Sequence, residues 1–385
     1  MGRLRYLTAG ESHGEMLVGI LEGMPAGLSL VAERDIDPIL RERQKGYGRG
    51  HRQKIENDSA RILSGVRNGI TTGAPIAVMI LNKDWEHWKE RMPVSPRDKE
   101  VVPVTIPRPG HADLAGAIKY GHTDLRNVLE RASARETAMR VAIGAIASKM
   151  LQEFDIASIA YVRSIGGLES DIPRDPFSDR EKLQESRVRV FDSDVEKVVI
   201  EKIDRAKESG DTVGGIVETV FRNVPPGIGS HVHWERKLDG ILAQVVMSIQ
   251  AVKSVEIGLG REAAHKKGSE THDGIEIRDR TLKRSRNNSG GIEGGMSNGE
   301  PIVVRATMKP ISTLMRPLQS VDLSTGLPTE AHIERSDVCA VPALAVIVEQ
   351  VVALAIASEL LEAFGGDTIS ELQERVTKRR KALVL

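Results

Sequence analysis

The sequence predicts an α+β protein built from two similar lobes, and three observations carry that expectation. In each half of the chain, short apolar runs and turns come first and a long helical stretch comes last, so strands and helices are segregated rather than strictly alternating. Three blocks of the first half recur in the second half in the same order. The 385 residues are 40% hydrophobic and 28% charged, enough for a core of ordinary size and too apolar for wholesale disorder.

The elements follow in order. Leu4 to Leu7 is a short apolar run, and Met16 to Leu21, Ile62 to Val66 and Ile76 to Leu81 read as strands. Thr137 to Phe154 reads as a helix with Val141, Ile146 and Leu151 among its core positions. In the second half Leu238, Leu242, Val245, Val246 and Ile249 fall at helical spacing. Val341 to Leu361 is the longest apolar stretch, but Glu349, Gln350 and Glu359 interrupt it, so a buried core helix is expected rather than a membrane span.

The recurring blocks are Gly23-Met24-Pro25-Ala26-Gly27 against Asn223-Val224-Pro225-Pro226-Gly227, and Asn68-Gly69 before Pro75-Ile76 against Asn298-Gly299 before Pro301-Ile302. Asn-Gly ahead of a β-branched run reads as a hairpin turn entering a strand. The third block matches Ala145 to Phe154 with Ala355 to Phe364 at six of ten positions. The expected organisation is one domain over 1–385: a first lobe of about 1–155, a connecting segment 156–211, a second lobe of about 212–365, and a tail 366–385.

Composition narrows the function. The 54 Lys and Arg balance 54 Asp and Glu, so no global field draws in nucleic acid or a membrane, and an anion site must be a local cluster. Aromatic residues at 3% argue against base-stacking platforms. A single cysteine, Cys339, excludes a disulfide within the chain and fits a reducing cytosol. With no signal-type N-terminal segment, a cytoplasmic location is expected. No spacing suits a metal centre.

Local clusters do occur. Gly10-Glu11-Ser12-His13-Gly14 and Arg108-Pro109-Gly110-His111-Ala112-Asp113 each use a glycine turn to present a histidine, the side chain best suited to proton transfer near neutral pH. Taken alone, each reads equally well as a solvated turn. The stretch 41–54 holds Arg41, Arg43, Lys45, Arg49, Arg52 and Lys54 among glycines, fit to wrap an anion; the rival reading is an RNA-binding segment. Arg131-Ala132-Ser133-Ala134-Arg135 opens a helix beside two arginines, a phosphate or carboxylate site or a plain N-cap. Farther on lie the glycine loop 290–295, Lys309-Pro310-Ile311-Ser312-Thr313, and Arg335-Ser336-Asp337 ahead of the core helix. Gly258-Leu259-Gly260-Arg261-Glu262-Ala263 fits a dinucleotide fingerprint formally, but no apolar helix follows it, and that reading is rejected.

Five of these motifs in order, GESHG, RPGHAD, RASARETAMR, the glycine loop with KPIST, and RSDVCAVPALAVIVE, closely resemble chorismate synthases from about residue 3 to about residue 365. The resemblance implies a β-α-β sandwich with two pseudo-twofold-related lobes, assembled as a homotetramer. It implies a carbon–oxygen lyase of the shikimate pathway that eliminates phosphate from 5-enolpyruvylshikimate 3-phosphate in 1,4-anti fashion. Reduced FMN is required without net redox change, supplied by an external flavin reductase, with NADPH an indirect reductant at most. It further implies His13 as the acid for the phosphate, His111 beside the flavin, and Asp337 in the relay that takes the ring proton. Substrate or NADP contacts are implied for Arg43, Arg49, Arg52, Arg135 and Arg335. FMN contacts are implied for Arg131, Ala132, Ser133, Gln250, Ala251, Gly294, Lys309, Pro310, Ile311, Ser312, Thr313 and Arg335. The rivals from other classes are a non-catalytic anion or RNA binder using 41–54 and a flavin oxidoreductase. The first leaves the two histidines and Asp337 without work, and the second predicts net NADPH consumption.

Overall fold

The computed structural model describes residues 4–50, 55–96, 101–334 and 336–384; Arg52, Lys54 and Arg335 lie outside them. The mixed α/β chain forms two antiparallel sheets with helices between. Sheet one holds β1 (Arg5–Ala9), β2 (Met16–Glu22), β3 (Ala60–Ile62) and β4 (Ile76–Leu81) in the order β1-β2-β4-β3. Sheet two holds β5 (Ala157–Ile165), β6 (Leu168–Glu169), β7 (Gly215–Arg222), β8 (Val252–Ile257) and β9 (Ile302–Met308) in the order β8-β9-β7-β5-β6. Leaving aside the two-residue β6, both sheets place their first, second, fourth and third strands side by side.

Between the sheets run α1 (Asp37–Gln44), α2 (Thr137–Gln152), α3 (Leu238–Met247) and α4 (Val341–Phe364). Three glycines mark how tightly the layers meet. A Cβ at Gly19 of β2 would lie 2.6 Å from Met139 Sδ of α2, one at Gly144 of α2 would lie 2.5 Å from the Gln350 carbonyl of α4, and one at Gly215 of β7 would lie 3.0 Å from Val341 Cγ1. No side chain fits at the first two contacts without displacement. Gly144→Ala is therefore expected to cost about 1–3 kcal/mol of stability, measured by denaturant unfolding. Gly240→Ala, whose new methyl group would have its nearest neighbour 3.9 Å away, serves as the unaffected control.

The helix α4 is long and apolar enough to cross a membrane, yet nearly all of it is buried inside the protein. Two of its polar positions have partners there: Ser158 Oγ donates to Glu349 Oε1 and Ser148 Oγ to Gln350 Oε1, both at 2.7 Å. The helices expected over 137–154 and 238–249 form but end two residues early, at Gln152 and Met247, and the strands expected at 16–21 and 76–81 hold. The strand expected over Ile62 to Val66 does not. It stops at Ile62, because the chain turns through Ser64 and Gly65, the latter with φ +79°, and Val66 enters a separate small hairpin.

Asn68-Gly69 is the two-residue turn of that hairpin, Val66–Arg67 with Ile70–Thr71, both turn residues having positive φ. In the second half the equivalent turn is Gly294-Gly295, between Ile292–Glu293 and Met296–Ser297, and Asn298-Gly299 only leads on to β9. A matching clip closes each half. Thr71 Oγ1 donates to the Pro25 carbonyl (2.6 Å) and accepts from Leu28 N (2.9 Å). Ser297 Oγ does the same with the Pro225 carbonyl (2.6 Å) and Ile228 N (2.9 Å).

The stretch 156–211 is more than a connection: it supplies β5 and the helix Ser193–Glu208. Within it Ile172, Phe177, Leu183 and Phe191 pack over Ile159, Tyr161 and Val220, sealing the outer face of sheet two. The outer face of sheet one keeps Leu7, Ile20 and Leu81 exposed.

Candidate active site

A cavity of about 720 Å³ opens where α2 and α4 both begin. Helix N-termini carry partial positive charge and unpaired N–H groups, so this end of the helix layer favours anions. Ser133 caps the turn into α2, its hydroxyl accepting from Arg135 N at 3.2 Å.

Three arginines converge on one side of the cavity. Arg43 donates through Nε and Nη2 to Thr137 Oγ1 (3.1 and 2.9 Å) and through Nη2 to the Ala134 carbonyl. Arg135 donates through Nη1 to both Asp58 oxygens at 2.8 Å and through Nε to Asn82 Oδ1 at 2.9 Å. Arg49 Nη1 lies 3.2 Å from Asp337 Oδ2, and Gly50 N donates to Asp337 Oδ1 at 2.6 Å. After these contacts one buried nitrogen of each of these arginines has no hydrogen-bond acceptor among the described residues, Arg43 Nη1, Arg49 Nε and Arg135 Nη2, the first and last lying 3.7 Å from the Asp58 and Glu56 carboxylates. Burial pushes the Arg43 guanidinium down to about 9; Asp58 opposes that, while Arg49 and Arg135 add to it. Cations crowded in this way are relieved by an incoming anion.

The two histidines stand on buried carboxylates. His13 Nδ1 is 2.9 Å from Glu130 Oε1, and its ring stacks on Trp88 with centroids 3.9 Å apart. His111 Nδ1 meets Asp113 Oδ1, while Arg108 donates to Asp113 Oδ2 through Nε at 2.9 Å. Burial opposes ionisation of Asp113, but the His111 and Arg108 contacts outweigh it and hold the carboxyl well below the usual range. Each imidazole is thus fixed in tautomer and direction by a carboxylate. Glu334, paired with His332 and Arg126, is held down at about 2 against the effect of its own burial.

The comparisons with known proteins point one way. The chorismate synthase family description matches residues 4–361. Chorismate synthase of Geobacillus sp. (strain WCH70) is 52% identical over 386 residues, covering 98% of this chain and 99% of that protein. That of Thermus thermophilus is 52% identical over 380 residues, with 98% and 99% covered. The chain belongs to the chorismate synthase family. A crystal structure of a chorismate synthase superposes with a TM-score of 0.80 at 42% identity, covering 99% of this chain and 98% of that one. The activity is that of the family, a carbon–oxygen lyase of the shikimate pathway.

Seen as a chorismate synthase, the chain brings most of the residues singled out from sequence to one place. His13, His111, Asp337, Arg43, Arg49, Arg135, Ala132, Ser133, Gln250, Ala251, Lys309, Ile311, Ser312 and Thr313 all line the cavity. Three do not. The Arg131 guanidinium turns away to donate to Thr8 O at 2.9 Å, Pro310 is off the lining, and Gly294 sits in the Ile292–Ser297 hairpin. The neighbouring glycines serve backbone packing: a Cβ at Gly290 would lie 2.3 Å from Gly258 N, and one at Gly291 would lie 2.5 Å from the Pro301 carbonyl.

The 43–50 segment is a wall of the cavity rather than a surface arm. Arg43 is buried, Gly48 packs under Cys339 and Ile203, and Tyr47 Oη donates to Asp204 Oδ1 at 2.7 Å. The RNA-binding reading of this stretch has no support. Sequence reasoning missed Trp88, Arg126, Glu130, Lys253 and Glu334, all near or on the cavity. None sits in a glycine turn, and the available signals were that Glu130 directly precedes the RASARET motif and Glu334 directly precedes Arg335-Ser336-Asp337.

Arg49→Ala is expected to weaken binding of the phosphate-bearing substrate roughly ten- to hundredfold, since a charge-assisted hydrogen bond contributes about 1.5–3 kcal/mol. Calorimetric titration checks it. An unchanged dissociation constant, or a collapsed thermal midpoint, would make the arginine structural.

Proposed function

We propose that this cavity is where 5-enolpyruvylshikimate 3-phosphate loses its phosphate and one ring proton, by 1,4-anti elimination, to give chorismate. The observation that carries the assignment is the trio of buried guanidinium nitrogens with no hydrogen-bond acceptor among the described residues, beside two carboxylate-held histidines. A phosphate and two carboxylates are the anions such a trio would serve. Arg43, Arg49 and Arg135 bind and orient the substrate; Arg52 and Arg335 are assigned to the same work by resemblance alone. His13, with Nδ1 committed to Glu130, delivers a proton from Nε2 to the departing phosphate, a poor leaving group as the trianion. Asp337, held in place by Arg49 and the Gly50 amide, serves the side from which the ring proton leaves.

The residues also fit a flat, phosphorylated cofactor. Gln250 Oε1 is a buried acceptor lacking a donor among the described residues, Ile249, Ala251, Ile311, Leu344 and Ile347 form an apolar wall, and Lys253, Lys309, Ser312 and Thr313 offer cations and hydroxyls. Ser133, Gln250, Ala251 and Lys309 to Thr313 would hold reduced FMN, with His111 beside its ring and Ala132, Arg131, Gly294 and Arg335 as outlying contacts. When bound, reduced FMN lends an electron transiently and recovers it, so the reaction has no net redox change. The cofactor reaches the enzyme already reduced by a separate flavin reductase, NADPH acting only indirectly.

The fold reads as an internal duplication with two pseudo-twofold-related lobes, about 1–155 and 212–365, the second also drawing β5 from the intervening segment. The shared strand order and the matching Thr71 and Ser297 clips support it. A cytoplasmic homotetramer accords with the exposed apolar face of sheet one and with the buried thiol of Cys339, which burial pushes up to about 12.

The test is anaerobic. Enzyme and the enolpyruvyl substrate should release phosphate and form chorismate with dithionite-reduced FMN, and not with oxidised FMN plus NADPH. No phosphate release with reduced FMN would remove the assignment of the cavity. Sustained turnover on NADPH alone would show an intrinsic reductase, and net NADPH consumption would favour the oxidoreductase reading.

A further inference from the structure

We infer that Glu130 is a positioning residue for His13, setting the direction and the charge of the imidazole that faces the departing phosphate. The inference deepens the reading of His13 as the acid and rests on it.

The Glu130 side chain is fully buried, where an unpaired carboxylate is costly. Its oxygens are spent on one residue and one cation. Oε2 accepts from His13 N at 2.7 Å, Oε1 lies 2.9 Å from His13 Nδ1, and Arg126 Nη1 donates to Oε1 at 2.9 Å. Burial alone would favour the neutral acid, but the His13 and Arg126 contacts reverse this and keep the group ionised. An anion there requires a proton on Nδ1, which leaves delivery to Nε2. The carboxylate grips both the backbone and the ring of the same histidine, so the GESHG turn and the imidazole are aligned by one group.

Trp88 closes one face of the ring, the planes meeting at 24°, and a cationic imidazole gains from an indole face. The charged groups facing His13 come from several elements. Glu130 and Arg126 come from the segment before α2, Arg91 lies 5.5 Å from the Trp88 centroid, Glu11 lies in the same turn, and Arg126 links on to Glu334 and His332. Arg126 competes with His13 for the Glu130 charge. The two neighbours therefore stand in opposition at Glu130 Oε1, each 2.9 Å away and each drawing on the same carboxylate.

The test reads that opposition without cofactor or substrate. The imidazole C2 proton of His13, assigned by its disappearance in His13→Ala, is titrated by NMR in the full-length protein with labelled histidine. In Glu130→Gln the His13 midpoint should fall by about 1–3 pH units, the effect of losing an adjacent opposite charge. In Arg126→Gln it should rise. The high-pH limb of kcat/KM should move the same way in each variant, whereas a merely structural lesion lowers the rate without moving the limb. An unchanged His13 midpoint in folded Glu130→Gln overturns the inference. Where that variant does not fold, an unchanged or lowered midpoint in Arg126→Gln does so. Failure of the acid assignment is separable: His13→Ala would then turn over normally while the midpoint still shifted in Glu130→Gln.

Discussion

Replacing His13 by alanine is expected to slow turnover by about two to four orders of magnitude, the usual worth of a positioned proton donor. His13 is held by a buried carboxylate and a stacked indole at a cavity rich in arginine, so the loss should fall on kcat more than on substrate affinity. In the proposed assignment, binding of the phosphate falls to Arg43, Arg49 and Arg135. The measurement is phosphate release at saturating substrate and reduced flavin, across a pH series. His13→Gln should not restore the rate, because an amide donates a hydrogen bond but yields no proton. A rate near that of the unsubstituted enzyme would sink the role. His111→Ala should lose activity over the same range, and for it a changed affinity for FMN is the second readout.

Arg135→Ala should damage the fold as well as the site. Its guanidinium meets both Asp58 oxygens at 2.8 Å, donates to Asn82, and lies 3.7 Å from Glu56 Oε2. Asp58 and Glu56 are almost wholly buried. Removing the cation takes the closest partner from Asp58, leaving it Arg43 Nη1 at 3.7 Å, and one ion pair from Glu56, which keeps the Lys83 amide; breaking a buried pair from one side typically costs about 3–5 kcal/mol. Denaturant unfolding should show that loss, together with weakened substrate binding. Arg49→Ala, where the side chain lines the cavity and pairs with one carboxylate, the partly exposed Asp337, should lose affinity and keep its stability. If the two variants unfolded alike, the distinction between a structural and a binding arginine would be wrong. Asp58→Asn in the Arg135→Ala background should recover part of the stability, since it removes the buried charge that has lost its closest partner.

Much of this was legible in local sequence. Glycine-flanked histidines, a serine N-cap beside arginines and an arginine–aspartate pair ahead of an apolar helix are short-range signals. The structure brings His13, His111, Arg135 and Asp337 to one cavity as those motifs implied. The glycine loop 290–295 shows the opposite case. Its composition fits ligand contact equally well as backbone crowding, and the approach of Gly290 to Gly258, far apart in the chain, decides for crowding. Arg131 is similar: its motif marks it for a ligand, yet its guanidinium finds Thr8 carbonyl oxygen instead.

By itself the sequence determined the helix and strand periodicities, the burial of the 341–364 helix, the absence of a disulfide within the chain, and the family. Tertiary structure alone decided the rest. Only there does Glu130 meet His13 across 117 positions of chain, Trp88 close over the ring, and Arg43, Arg49 and Arg135 come together with nitrogens to spare. The physical reason is one of range. Propensity, capping and apolar spacing act within a few residues. The charge state of a buried group depends instead on which partners the packing of two sheets and two long helices brings within a few ångströms.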